Sequence, residues 1–240
     1  MANFSTHLKA STIVSATLSS VIVSMSEVSG FQALGLFIVG ALAGLLPDLD
    51  SDKSKSLNSL FSIFAILVAG VLLLNYQFDS ILETWMLGLC IYLLFMYAIK
   101  PIFEHFTVHR ATLHSISAVC MFCALTFHSC LLLGVTLHMS VLSSMFVMVG
   151  ALTHLILDEC YSVDIDNKEL KASFGTALKP IDLRYPVTSL TQVCVTIACI
   201  YFAMPHFSNI GDLFDTWATK LHALTFLPDF SDYQWPIELS

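Results

Sequence analysis

The sequence predicts an all-α protein, a polytopic bundle of about seven membrane-spanning helices with its N-terminus in the cytoplasm. Composition, the lengths of the apolar runs and the placement of the cations together predict it. Of 240 residues, 56% are hydrophobic and 12% charged, with a mean hydropathy of +0.79; a soluble domain carries about 25% charged residues. Crossing the hydrocarbon core takes roughly 17 to 25 mostly apolar residues. Seven runs meet that length, at 11–28, 31–47, 59–76, 81–99, 112–138, 140–161 and 188–205. Basic residues stay on the cytoplasmic side. An N-terminus inside then leaves Lys9, Lys53, Lys55, Lys100, Arg110, Lys168, Lys171, Lys179 and Arg184 inside and Lys220 alone outside.

Each element has its own justification. The first run, "STIVSATLSSVIVSM", is rich in hydroxyls, which suit a helix that faces other helices. A cleaved signal peptide fits it less well, because Lys9 is the only basic residue before it and no small-residue cleavage site follows. Removing this helix would also break the charge alternation. The second run ends at Pro47, which cannot continue a helix. The sixth, containing "VGALTHLILDECYS", sets His154 and Asp158 inside apolar sequence. The long polar segment 159–187 includes "SFGTALKPIDLRYP", whose Gly175, Pro180 and Pro186 predict a turn-rich connection folded back over the helix ends. Residues 1–206 therefore read as the transmembrane domain and 207–240 as an acidic tail on the outer face, with Asp212, Asp215, Asp229, Asp232 and Glu238. Within that tail, "DLFDTWATKLHALTF" has the apolar spacing of an interfacial amphipathic helix.

The net charge of −8 leaves no basic surface for nucleic acid. Seven cysteines (Cys90, Cys120, Cys123, Cys130, Cys160, Cys194, Cys199) lie in or beside the spans and read as small apolar residues rather than a disulfide framework. Cys120 and Cys123 form a CxxC without the second pair that a zinc site needs.

The ionisable exceptions collect on one side. His7 precedes the first span; Asp48, Asp50 and Asp52 follow the second in "LLPDLDSDKS"; His109, Arg110 and His114 precede the fifth in "HRATLHS"; His154 and Asp158 end the sixth. All fall at the cytoplasmic face. Taken singly, each has a plain explanation: helix caps for the aspartates, headgroup contacts for Arg110 and the histidines beside it, and a snorkelling helix end for Asp158. Spacing favours more than that. An extended Asp-Leu-Asp points Asp48 and Asp50 to one face, and His154 and Asp158, four apart, share a helix face. His114 joins them if a helix begins near Thr112, leaving His109 free to swing back. A carboxylate deep in a bilayer costs roughly 2.5–3.5 kcal/mol, which a bound cation offsets. The set His7, Asp48, Asp50, His109, His114, His154 and Asp158 is large enough for one or two ions, and mixed His and carboxylate ligation suits zinc, manganese or iron better than calcium.

In order, "PDLD", "HRATLHS" and "HLILDECYS" followed by "SFGTALKP", with an early His7, resemble the membrane-bound metal-dependent hydrolases of the LexA-regulated, YdjM-like inner-membrane type. The resemblance runs from about residue 7 to 180. It implies a bacterial inner-membrane protein whose metal and active-site residues are His7, Asp48, Asp50, His109, Arg110, His114, Ser115, His154 and Asp158. Two positions depart from the family pattern: Ala111 where Gly is usual after the His-Arg pair, and Leu113 where Thr is usual before the His-Ser pair.

The chemistry expected is metal-assisted hydrolysis of a phosphoester on a lipid or isoprenoid phosphate. Asp50 or Asp158 is the expected general base, Arg110 the phosphate-neutralising cation, and Ser115 with the first N–H groups of the fifth span an anion cradle. A transporter or ion-permeation protein is the alternative, and it needs polar residues through the membrane, for which the sequence offers His128, His138 and Glu83. A metal-stabilised scaffold is a second alternative, marked by a cage with no open position.

Overall fold

The computed structural model describes residues 4–50, 55–75, 78–102, 113–164, 169–170 and 178–225. Among these it is an α-helical bundle: α1 Phe4–Ser24, α2 Gly30–Ala43, α3 Lys55–Asn75, α4 Ile81–Leu94, α5 Ile116–Leu132, α6 Leu137–Tyr161, α7 Pro186–Ala203 and α8 Phe207–His222. A π turn, Phe95–Ile99, extends α4, and a 3-10 turn, Met204–His206, joins α7 to α8. Two-residue strands β1 (Val163–Asp164) and β2 (Glu169–Leu170) pair antiparallel after α6. A helix forms the greater part of each of the seven runs; in the second it stops at Ala43, and in the fifth it spans only Ile116–Leu132. Ile81–Ile102, Leu137–Tyr161 and Pro186–His222 are long and apolar enough to cross a membrane, and Gly30–Ala43, Phe61–Leu74 and Ile116–Leu132 are shorter apolar helices. Along α4, Ile81, Leu82, Trp85, Met86 and Leu89 are exposed, an apolar surface that water would not tolerate but lipid would.

Helix starts follow capping chemistry. Ser29 caps α2 and forms a full capping box with Gln32. Ser80, Ser115 and Thr136 accept the N3 amides of α4, α5 and α6. Pro186 opens α7, where its missing N–H costs nothing. Gly134, at φ +78°, makes the left-handed turn that folds α5 back onto α6.

The centre of the bundle is α1, α2 and α6, and small residues let them meet closely. Gly40 and Gly44 stand one turn apart on α2 and at its end, facing Ser15 and Ser11 of α1. A Cβ at Gly44 would strike Ser11, and one at Gly150 of α6 would strike the Gly40 carbonyl. Ser11 donates to the Ala41 carbonyl at 2.9 Å and Ser19 to that of Ala33 at 2.9 Å. This is the small-residue packing by which helices associate in lipid, where no hydrophobic force drives them together. Toward the far end, Trp217 of α8 joins Ile22, Leu36, Phe127, Leu142 and Phe146 in one apolar cluster. The helix 207–222 is thus packed on the bundle.

Three local expectations change. α1 begins at Phe4, so His7 lies within the helix rather than before it. Residues Leu46–Asp50 form a 3-10 turn, not an extended Asp-Leu-Asp, and in that turn positions two apart do not share a face. α5 starts at Ile116, four residues after Thr112, which leaves His114 in the bend ahead of it.

Candidate metal centre

One end of the bundle gathers four chain segments: the start of α1, the turn after α2, the bend before α5 and the last turns of α6. From these come His7, Asp48, His114, His154 and Asp158. His7, His114, His154 and Asp158 are buried, and Asp48 retains 31% of its side-chain exposure.

Four of their atoms form two triangles that share the His114–His154 edge and together make the cage. Nε2 of His154 and Nε2 of His114 face each other at 3.3 Å. Oδ1 of Asp48 lies 3.5 Å from Nε2 of His114 and 3.6 Å from Nε2 of His154. Oδ2 of Asp158 lies at the same two distances, 3.5 and 3.6 Å. Ligands held about 2.0–2.2 Å from one ion in a tetrahedron stand about 3.3–3.6 Å apart. Each triangle, the two histidine nitrogens with one carboxylate oxygen, therefore has edges of the length that ligands of one metal ion need.

The surroundings fix the ligands. Nδ1 of His154 is 2.7 Å from the Gly44 carbonyl. A carbonyl only accepts, so Nδ1 carries the proton and Nε2 presents its lone pair to the cage. Gly44 can come this near because it has no side chain to collide with Ser11. His7 stacks on His154, ring centroids 3.6 Å apart and planes 9° from parallel. Its Nε2 reaches the other oxygen of Asp158, Oδ1, at 3.2 Å, which orients that carboxylate from behind. The buried Nδ1 of His7 has no hydrogen-bond partner among the described residues, and His7, His154 and Asp158 form a second group close enough to share an ion. Burial alone would raise the Asp48 carboxyl, but the hydrogen bond from His114 and the nearness of His154, His114 and His7 hold it below its ordinary value.

The α5 start is organised differently from the expected anion cradle. Ser115 caps the helix through Ala118 N–H. The N–H groups of Ile116 and Ser117 donate to the carbonyls of Lys179 and Pro180, both at 3.0 Å. Those donors are spent within the fold, on the segment that returns over the helix end. That segment is anchored by buried Asp182, which holds the Lys179 ammonium and accepts from Arg184 Nε and Nη2, each at 3.1 Å. Ser117 donates to Gln192 of α7 at 2.9 Å. Neither Asp182, Gln192 nor the Gly44 carbonyl was a candidate on sequence grounds.

Asp158, enclosed by three histidines, is poorly placed as a free base. His109 and Arg110 lie outside the described residues, as does the side chain of Asp50.

A family model described as YdjM inner membrane protein matches residues 1–167, a stretch that contains every residue of the cage. No curated protein and no solved structure matches the chain.

Proposed function

The chain belongs to the YdjM inner membrane protein family, and on that premise we propose that its buried cage holds a transition metal, zinc or manganese, and hydrolyses a phosphoester of a lipid or isoprenoid phosphate at the cytoplasmic face. The observation that carries this reading is the cage: two imidazole nitrogens with a carboxylate oxygen on either side, each triangle at ligand spacing, and one open side, at Asp48.

Such an ion supplies a nucleophile from water at neutral pH and offsets charge that develops on the phosphoryl oxygens. The chain does the rest. His114, His154 and Asp158 make the His₂-carboxylate set common in catalytic sites. His7 and the Gly44 carbonyl hold two of them in register. Asp48, the one cage residue reaching solvent, is placed to take the proton from the attacking water. Arg110, from the adjoining sequence, supplies the cation that binds the phosphate. In this reading the cage, at the ends of apolar helices, sits at headgroup level, where the phosphate of an amphiphile lies.

A second reading rests on the same cage. If Asp48 is a permanent fourth ligand, the site is closed and the metal structural. The Asp48→Ala variant separates the two. In the hydrolase reading it keeps its metal, measured by elemental analysis of detergent-purified protein, and loses turnover of phosphorylated lipids by about 100-fold or more. Loss of metal and thermal stability together, with turnover absent in wild type as well, makes the site structural. His154→Ala, which removes a buried ligand, loses the metal in both cases. Ion permeation is less well supported, because His128 meets the Cys199 carbonyl at 2.7 Å and His138 pairs with Glu27 at 3.0 Å, so the mid-depth and far-side histidines are engaged within the protein.

A further inference from the structure

Of the cage residues, His7, His154 and Asp158 stand on long helices and Asp48 in a 3-10 turn, whereas His114 lies in the bend ahead of α5. A helix fixes its side chains through its own ladder of hydrogen bonds. A bend has no such ladder and is held by whatever contacts it. On one side of His114, Leu113 is buried in the apolar cluster that includes Leu46, Leu49 and Phe61. On the other, Ser115 alone separates it from Ile116, the first residue of α5.

That first turn is held by chain far along the sequence. The leading N–H groups of a helix have no acceptor within the helix. Here Ser115 Oγ accepts from Ala118 N–H, and the carbonyls of Lys179 and Pro180 accept from Ile116 and Ser117, both at 3.0 Å. One residue organises the segment that supplies those carbonyls. The buried carboxylate of Asp182 accepts from the Lys179 ammonium, from the Arg184 backbone N–H and from Arg184 Nε and Nη2. Its backbone carbonyl accepts from Ser189 Oγ of α7 at 2.8 Å and from Tyr185 N–H at 3.2 Å. Asp182 therefore ties Lys179, Arg184, Tyr185 and Ser189 together, and the tied segment presents two carbonyls to the start of α5.

We infer that Asp182 is a positioning residue for the metal centre: through segment 179–184 it fixes the start of α5, and through that start it fixes the His114 imidazole in the cage. The role toward a metal rests on the reading of the cage given above; the placement of His114 does not. Loosening Asp182 displaces His114 ahead of the other ligands, because His154 is held independently by the Gly44 carbonyl and His7 by α1. Partners that orient a ligand from behind set metal affinity by about 10- to 100-fold.

The test compares the full chain as wild type, Asp182→Ala and Arg184→Ala in detergent, by the ring resonances of isotope-labelled histidine without metal and by titration with Co²⁺. In Asp182→Ala the His114 resonance is expected to shift while those of His128 and His138, remote from the cage, stay in place, and Co²⁺ affinity is expected to fall about 10-fold or more. Arg184→Ala removes two bonds to Asp182 and truncates a largely exposed side chain. It is expected to act in the same direction by a smaller amount, and it carries the test if Asp182→Ala does not fold. A His114 resonance that stays in place overturns the inference, whatever the Co²⁺ affinity does. So does one that moves together with His128 and His138, which would make Asp182 a support of the whole fold. Wild type that takes up no Co²⁺ removes the metal reading, and the His114 shift alone then decides whether Asp182 positions the ring.

Discussion

At the scale of single residues, the cage and its support depend on where protons and charges are held. Gly44, with a backbone carbonyl and no side chain, sets the tautomer of His154. Asp182 does comparable work in the segment that covers α5. Burial alone would raise its carboxyl, but hydrogen bonds from the Arg184 and Lys179 side chains and from the Arg184 N–H outweigh that and hold it at about 2, below the ordinary 3.8. A carboxyl depressed by folding stabilises the protein above its unfolded value, and that contribution is lost as pH falls from about 4 toward 2. Arg184 is largely exposed, so solvent screening reduces the gain. In thermal melts of detergent-purified protein, wild type is expected to lose stability over that window more steeply than Asp182→Asn. The variant is also expected to melt lower at pH 7. Parallel pH profiles for the two proteins would show that the Asp182 ion pairs contribute nothing.

At the scale of elements, α1, α2 and α6 place the cage because they approach closely enough to bring His7 onto His154. Gly150 is the tightest point of that approach. Gly150→Val inserts side-chain volume against the Gly40 backbone, which cannot rotate away. Overpacking of this kind costs about 1–3 kcal/mol or more, so the variant should melt well below wild type and bind metal more weakly. Gly70→Ala is the matched control, since nothing lies within 4 Å of the added methyl; it is expected to be neutral or slightly stabilising. Equal melting temperatures for the two variants would show that the contact does not position the cage. The helices themselves were legible in the sequence because each apolar run is long and bounded. Their first residues were less so. α1 extends past its apolar stretch to Phe4, and α5 waits for the cap at Ser115. The cage residues could be grouped because Lys and Arg fix which helix ends share a side. The second layer left no such trace: Gly44, Asp182 and Gln192 act through contacts between segments far apart in sequence, where spacing carries no signal. One clue was present, Gly40 and Gly44 four apart in the second run.

At the scale of the whole molecule, the functional reading depends on which side of the membrane each end of the bundle occupies. The cage and the Asp182 segment lie at one end. The cluster of Glu27, His138 and Lys220 lies at the other, where α8 packs over the turn between α1 and α2. The proposed function puts the first end in the cytoplasm, following the side on which the sequence concentrates its Lys and Arg. Leu183, highly exposed on the Asp182 segment, and Lys220, partly exposed on α8, report the two ends without touching the cage. In a background with all seven cysteines replaced, Leu183→Cys is expected to resist a membrane-impermeant thiol reagent in spheroplasts and to react in inverted vesicles. Lys220→Cys is expected to do the reverse. Labelling of both from the same side would mean that α7 and α8 do not separate the two ends. Full inversion of the pattern would put the cage on the outer face, and the phosphoester it meets would then belong to the outer leaflet.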